Sequence, residues 1–588
     1  MAMEEKKVSS NKMDWKLLRR VLAMAAPYKS IFISSLALAI IMAPLNSLRP
    51  YLVNIMVDDH IIAGEEGMMY DAMIYLAIVL ILVVLRYFFI YITALLGQSV
   101  IKDLRVKVFD KITSLNMNYF DTHAIGTATT RTINDVERIN DVFAQGVIMI
   151  VADLLAVVAV LSIMFYTSWR LTLICIITLP FLMLATYIFK ESVKKAFQRV
   201  RTQISEMNAF LQERISGMTV VQVFSAEEQE REKFRLINRK YTGANLDSIF
   251  YYALFFPVVE IISAVALALF IWWGAGAYLK GEVTFGALVA FPIYLNMLFR
   301  PVRLLADKLN TLQMGLVAAD RVFNVLDNTS SITDNGIIKS AMDGHVLFKD
   351  VSFSYDGVHN VLKKINFEIM PGETLAIVGN TGSGKTTIIN ILNRFYQITD
   401  GEIFIDGTEI RKYDLDFLRS RLSMVLQDVF LFAGSVKENI TLRNEQIPFE
   451  KVLAAAKVIG AHEFIEKMPN GYDFVITERG SNLSMGQRQL ISFVRALVFD
   501  PDILILDEAT SSIDTETEEI IQYAIEKVID NRTSIIIAHR LTTIKNADKI
   551  LVLRDGEIKE FGSHDDLVLL EDGIYKGMYE MQFAESMA

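Results

Sequence analysis

Six apolar runs set the terms for any fold this chain can adopt. They lie near 30–57, 71–97, 140–166, 171–190, 246–273 and 284–304, each close to the ~20 apolar residues a helix needs to cross a bilayer. In lipid every backbone polar group must be bonded internally, so runs of this kind fold as helices. All six fall in the first half, and they account for a hydrophobic content of 52% and a mean hydropathy of +0.35 over 588 residues. Beyond about position 345 the composition is that of an ordinary globular domain. The length exceeds what one core organises, so several domains are expected.

Charge gives the spans an orientation. The loop from Asp58 to Asp71 carries Asp58, Asp59, Glu65 and Glu66 and no Lys or Arg, and the other short turns on that side add just Arg170 and Lys280. The segment 102–138 instead holds Lys102, Arg105, Lys107, Lys111, Arg131 and Arg138, and 190–240 is similarly basic. Positive-inside bias therefore predicts both termini and the two long loops in the cytoplasm of a multi-pass inner (plasma) membrane protein. Residues 1–29 are basic, and no cleavage site of small residues follows a short apolar core, so no removable signal peptide is read there. Trp15, Leu17, Leu18, Val21 and Leu22 at helical spacing suggest an interfacial helix, behind a frayed first dozen residues.

Each long loop reads as helix interrupted midway, at Asn118–Asp121 with Gly126 and at Ile215–Met218. A short crosswise helix at each break, projected below the membrane, is expected, with a plain long hairpin as the alternative. Polar residues within spans need a reason. Arg49, Arg86, Asp153 and Glu260 are such residues, and Arg300 and Arg303 at the end of the sixth span are explained by snorkelling. For Arg86 and Glu260 a substrate-facing cavity and an interhelical ion pair stand level. Cys175 is the sole cysteine, which excludes an intrachain disulfide or a cysteine zinc cluster. It reads as lipid-facing or as packing filler. The net charge of −10 gives no support to nucleic-acid binding.

A polar linker, 328–344, precedes a soluble α/β unit, 345–582, whose first strands are expected at His345–Phe348 and Val351–Tyr355. Its chemistry begins where the apolar run Leu375–Val378 meets Gly379-Asn380-Thr381-Gly382-Ser383-Gly384-Lys385-Thr386-Thr387 and then the apolar-periodic segment from Ile388. This is G-x-x-x-x-G-K-[ST] in its strand–loop–helix setting. The glycines let successive N–H groups face phosphate oxygens, and the helix adds its positive end. Lys385 reaches the β- and γ-phosphates and Thr386 can hold Mg²⁺. A second apolar run, Ile503–Leu506, ends in Asp507-Glu508. A buried parallel strand delivering two acids at its C-terminal end suits Asp507 to Mg²⁺ and Glu508 to polarising the attacking water.

Between these sites stands Asn482-Leu483-Ser484-Met485-Gly486-Gln487-Arg488-Gln489. It resembles the signature motif of ATP-binding cassette (ABC) proteins, LSGGQ. Further residues match the family in order. Tyr355 resembles the aromatic residue that stacks on adenine and Gln427 the glutamine loop. Thr477–Gly480 is similar to the exporter loop before the signature, Ser511–Asp514 to the D-loop, and His539 to the switch histidine. Six spans followed by one cassette is the layout of an ABC exporter half-transporter. The resemblance implies an all-α transmembrane domain of six helices, 1–327, followed by the α/β P-loop ABC nucleotide-binding domain.

It also implies ATP and Mg²⁺ as cofactors. Glu508, His539 and Gln427 would act in hydrolysis, with Thr386, Gln427 and Asp507 around the metal. Tyr355, the loop 379–387, Ser484, Gly486, Gln487 and Asp514 would bind nucleotide. In the family each ATP lies between one chain's phosphate loop and its partner's signature, so a second half-transporter is required, a homodimer being favoured over a heterodimer. Hydrophobic or amphipathic drugs, lipids or peptides would be exported or flipped. One departure stands out: Met485 replaces a signature glycine, and its Cβ could crowd the nucleotide or shift the helix start. Glu508 and His539 are present, unlike in the degenerate half of an asymmetric pair. A chromosome-maintenance ATPase would need coiled-coil heptads between its motifs, and an ATP-gated channel remains a weaker rival.

Overall fold

The computed structural model describes residues 14–330, 336–507, 515–538 and 541–587. The chain divides into two compact units, residues 1–113 with 125–328 and residues 114–124 with 329–588. Each is described by itself.

Among the described residues the first unit has six helices long and apolar enough to cross a membrane. A short helix α1 (Trp15–Ala23) precedes them. The six are α2 (Ala26–Ile62), α3 (Met68–Thr113), α5 (Ile125–Thr167), α6 (Trp169–Ser216), α8 (Glu227–Leu279) and α9 (Phe285–Leu326). The breaks in the two long loops are the six-residue helices α4 (Met117–Thr122) and α7 (Met218–Val223). At ~1.5 Å per residue a helix of 46 residues such as α3 is about 69 Å long, twice the ~30 Å of hydrocarbon. The apolar runs of spans two to six thus continue into polar helix.

Close approaches set the packing of these helices. A Cβ on Gly315 of α9 would lie 2.3 Å from Val142 of α5, and one on Gly97 of α3 would lie 2.0 Å from the Asn140 side chain. Glycine, with no side chain beyond hydrogen, permits such close approach. On α1, Leu18 and Val21 are buried with Leu96, Val100 and Phe323. Arg20 grips the Asp327 carboxylate through two 2.6 Å hydrogen bonds and lies over the Phe323 ring. The Asp327 pKa is lowered by that bond. α6 and α8 run together, with Phe189 stacked on Phe255 and Arg214 paired with Glu230. Cys175 is fully buried in the cluster around Phe270 and Phe291, so it is packing filler and not lipid-facing.

The second unit is a layered α/β domain. Its antiparallel sheet has the order β2 (Leu362–Ile369), β1 (Val346–Phe353), β4 (Asp400–Ile405), β5 (Thr408–Glu409). The two strands expected at its start are one, β1, with a register shift between Phe348 and Val351 where Asp350 takes a φ of 49°. The central sheet has the order β12 (Glu557–Gly562), β11 (Lys549–Arg554), β3 (Thr374–Val378), β10 (Thr533–Ile537), β9 (Ile503–Asp507), β6 (Leu422–Val425). All of its pairings are parallel except β11 with β12. Alternation explains why its inner strands β3 and β9 are almost wholly apolar. Leu375, Ile377, Ile503, Ile505, Ile535 and Ile537 join the core shared with the antiparallel sheet. Ala376, Val378, Leu504, Leu506 and Ile536 join a second core on the other face. A strand covered on both faces has no polar positions to spare.

Candidate nucleotide site

The parallel register brings the sequence motifs to one edge. Ile377 of β3 is opposite Ile537 of β10, which is opposite Asp507 of β9, while Val425 of β6 is opposite Leu506. The phosphate loop, Asp507 and Gln427 therefore all emerge at the carboxyl ends of adjacent strands, where open α/β sheets bind ligands. Glu508, Asp514 and His539 lie outside the described residues.

The loop feeds α10 (Lys385–Leu392), whose Ile388, Ile389, Ile391 and Leu392 anchor it in the core shared with the antiparallel sheet. Two glycines are dictated by space. A Cβ on Gly379, at φ 151°, would sit 2.1 Å from the Leu553 carbonyl oxygen, and one on Gly384, at φ 107°, 2.7 Å from Leu362. Inside the loop the Lys385 ammonium donates to the carbonyls of Gly379 (2.7 Å) and Asn380 (3.0 Å). Burial pushes its pKa below the ordinary lysine value, and the Asp507 carboxylate opposes that shift. Among the described residues the buried Ser383 hydroxyl has no hydrogen-bond partner, while Asn380, Thr381, Gly382 and Thr386 are exposed. A buried ammonium resting on loop carbonyls beside an orphaned hydroxyl is a site arranged for phosphate oxygens. Its residues fit a triphosphate, with the exposed Thr386 hydroxyl and Asp507 the groups that would hold Mg²⁺.

Tyr355 stands beside this loop. Its hydroxyl is 3.2 Å from Thr387 Oγ1, its ring meets Phe353 and Tyr396 edge-on, and it is 41% exposed, leaving ring surface for a base. Tyr396 carried no sequence signal. Its hydroxyl donates to Asp121 of α4, and burial, with that bond second, raises its pKa. The Asn116 amide also donates to the Ser330 carbonyl (3.0 Å). The break in the first long loop is thus tied, through Tyr396, to the aromatic residue at the nucleotide site.

The signature opens helix α11 (Met485–Val498). Ser484 Oγ accepts from the Gln487 amide (3.2 Å), and Gln487 Oε1 accepts from the Ser484 amide (3.0 Å). This capping box holds the helix start at Met485, so the extra side chain leaves the cap in place. Met485 is half-buried and lines a cleft with Gln427, Asp428, Arg479 and Gln489. Gly486 is buried. Before it Arg479 and Gly480 take φ values of 57° and 68°, and Asn482 fastens the turn to the Thr477 amide (3.1 Å). Leu490, Phe493 and Val494 of α11 pack in the second core. The helices behind the phosphate loop and behind the signature therefore lie on opposite faces of the central sheet.

In the first unit, Arg86 lines a cavity with Arg49, Asp153, Arg300 and Lys308. Glu260 is exposed on α8. Among the described residues neither Arg86 nor Glu260 forms an ion pair; the Arg303 side chain lies outside the description.

Two family models match this chain. That of the ABC transporter transmembrane region covers residues 31–302, and that of the ABC transporter covers residues 362–511. An uncharacterised ABC transporter ATP-binding protein of Bacillus subtilis (strain 168), YknV, is 38% identical across 98% of this chain and 96% of its own. An ATP-dependent lipid A-core flippase of Desulfotalea psychrophila is 37% identical, with 96% and 99% covered. A putative multidrug export ATP-binding/permease protein of Bacillus subtilis (strain 168), YgaD, is 35% identical, with 96% and 99% covered.

Proposed function

The chain belongs to the ABC transporter family, as an ATP-hydrolysing, multi-pass exporter half-transporter, and from that premise we propose that it exports or flips hydrophobic or amphipathic compounds as a dimer. Residues 1–327 form the translocation domain, 345–582 the motor and 328–344 the linker, with both termini and the motor on the cytoplasmic side of the plasma membrane. The names of its relatives, a lipid A-core flippase and a multidrug exporter, support the substrate class.

Each residue of the site takes a role. The ring of Tyr355 stacks on adenine, and the amides of 379–387 with Lys385 cradle the phosphates. Thr386, Asp507 and Gln427 would hold Mg²⁺, which would supply neutralisation of phosphate charge. Glu508 orients and polarises the water, and His539 and Asp514 complete the site. Ser484, Gly486 and Gln487 present a helix N-terminus to the γ-phosphate of the partner's nucleotide. The observation that carries the dimer is the placement of α10 and α11 in separate cores on opposite faces of one sheet. Two chains facing each other bring one phosphate loop to the other's signature. Nucleotide then drives transport by binding the closed pair better than the open one.

Purification of this chain alone in nanodiscs tests the reading. A dimeric mass with hydrolysis stimulated by lipophilic compounds is expected. An inactive monomer would replace the homodimer with a heterodimer and a missing partner subunit.

A further inference from the structure

One face each of four membrane helices lines an open cavity of about 420 Å³, within the ~300–1,000 Å³ range of ligand pockets. Its polar groups come from different helices: Arg49 from α2, Arg86 from α3, Asp153 from α5, and Arg300 and Lys308 from α9. Its walls are apolar, with Met42, Phe89, Ile90, Met149 and Leu304 among them. Four cations face one carboxylate, and that carboxylate is taken, because the Lys308 ammonium donates to Asp153.

Three guanidiniums remain. Arg49 donates weakly to Asn46 Oδ1 (3.4 Å) and to the Tyr75 hydroxyl (3.3 Å), and among the described residues its buried Nε has no hydrogen-bond partner. Among the described residues none of Arg49, Arg86 and Arg300 forms an ion pair. Cations at membrane depth are retained where they face a bundle interior or a pathway. A planar guanidinium fork matches the oxygens of phosphate or carboxylate better than any other anion-binding side chain. The same charge repels a lipophilic cation, so the cavity discriminates by sign as well as by fit.

We propose that this cavity takes the anionic headgroup of an amphiphile. Arg49, Arg86 and Arg300 pair with a phosphate- or carboxylate-type group, and the apolar walls hold the start of its alkyl chain. This narrows the substrate class of the proposed exporter and rests on that reading for its connection to transport.

The test uses the full chain in phosphatidylcholine nanodiscs and four probes: dodecyl phosphate, dodecyltrimethylammonium, dodecyl maltoside and inorganic phosphate. Equilibrium binding and ATP hydrolysis are measured for each. Dodecyl phosphate is expected to bind about tenfold or more tightly than the other two dodecyl probes, the worth of one charge-assisted hydrogen bond. That preference should shrink at high salt. Arg49→Gln, Arg86→Gln and Arg300→Gln should each weaken dodecyl phosphate specifically, with the Lys variants losing less. The headgroup series on the wild-type chain decides the matter even where a variant does not fold. Equal binding of the three dodecyl probes, or preference for the cation, overturns the inference. Inorganic phosphate binding as tightly as dodecyl phosphate overturns it too, making the site one for free anions. Hydrolysis stimulated by the cationic or neutral probe with no binding of dodecyl phosphate leaves the exporter standing and this inference fallen. Selective dodecyl phosphate binding with no probe stimulating hydrolysis does the reverse.

Discussion

At the residue scale, two side chains make the nucleotide site open to direct measurement. Lys385 is held below its ordinary pKa by burial, whereas bound phosphates favour its charged form. Binding therefore takes up a proton wherever the unliganded ammonium is partly neutral. Affinity for ATP is full below the lowered pKa and falls as pH rises through it. A nucleotide titration from about pH 7 to about pH 10 should show this slope below the ordinary lysine value of ~10.4. Lys385→Met should bind weakly throughout and lack the slope; an identical slope in that variant would assign the proton elsewhere. Met485 is the second. It occupies the first turn of α11 behind an intact capping box, so Met485→Gly should cost at most about 1 kcal/mol of helix propensity. ATP hydrolysis should be kept or raised. Collapse of hydrolysis in a folded variant would show that the Met485 side chain in the Gln427 cleft is required.

At the scale of elements, α4 carries a more distant consequence. Asp121 accepts from Tyr396, whose ring meets Tyr355 edge-on, so on the proposed reading the first long loop would sense the adenine side of the site through two tyrosines. Tyr396→Phe deletes that hydrogen bond and keeps the ring contact. An exposed charge-assisted bond is worth about 1 kcal/mol, so a fall of a few degrees in melting temperature at most is expected. The larger effect should be on coupling: hydrolysis without substrate stays within a few-fold of wild type, and its stimulation by transported compound is lost. Full stimulation in Tyr396→Phe would remove this bond from the coupling path. The link was invisible in sequence, since its partners are 275 residues apart and a tyrosine following α10 has no periodicity to betray it. The phosphate loop and the acidic pair were legible because each is an abrupt change of chemistry at a strand end. Val378 runs into glycine and Leu506 into acid, and a parallel sheet brings such ends together. The six spans were legible for an equally local reason, as lipid demands apolar length. What local pattern could not give was the rotation of one helix against the next. Arg49, Arg86 and Arg300 were evident as charges within spans or at their ends, but their sharing of one cavity is set by packing such as that of Gly315 against Val142.

For the whole molecule, the decisive question is which chain completes which site. α10 and α11 belong to separate cores on opposite faces of the sheet, so the proposed catalytic unit has its two halves on different chains. Complementation follows from that geometry. Lys385→Ala cripples a phosphate loop and Ser484→Arg cripples a signature, and a homodimer of either variant has two damaged sites. In a mixed dimer one composite site collects both lesions, and the other joins an intact phosphate loop to an intact signature. With random pairing about half the dimers are mixed, so co-expression should restore nucleotide trapping by vanadate that neither variant shows alone. Trapping is the better readout than turnover, because it reports a single competent site even where two must alternate for steady hydrolysis. Were each chain to build its site from its own loop and signature, both lesions would remain in separate damaged sites and mixing would rescue nothing. That outcome would dismantle the sandwich arrangement while leaving the chain a membrane ATPase.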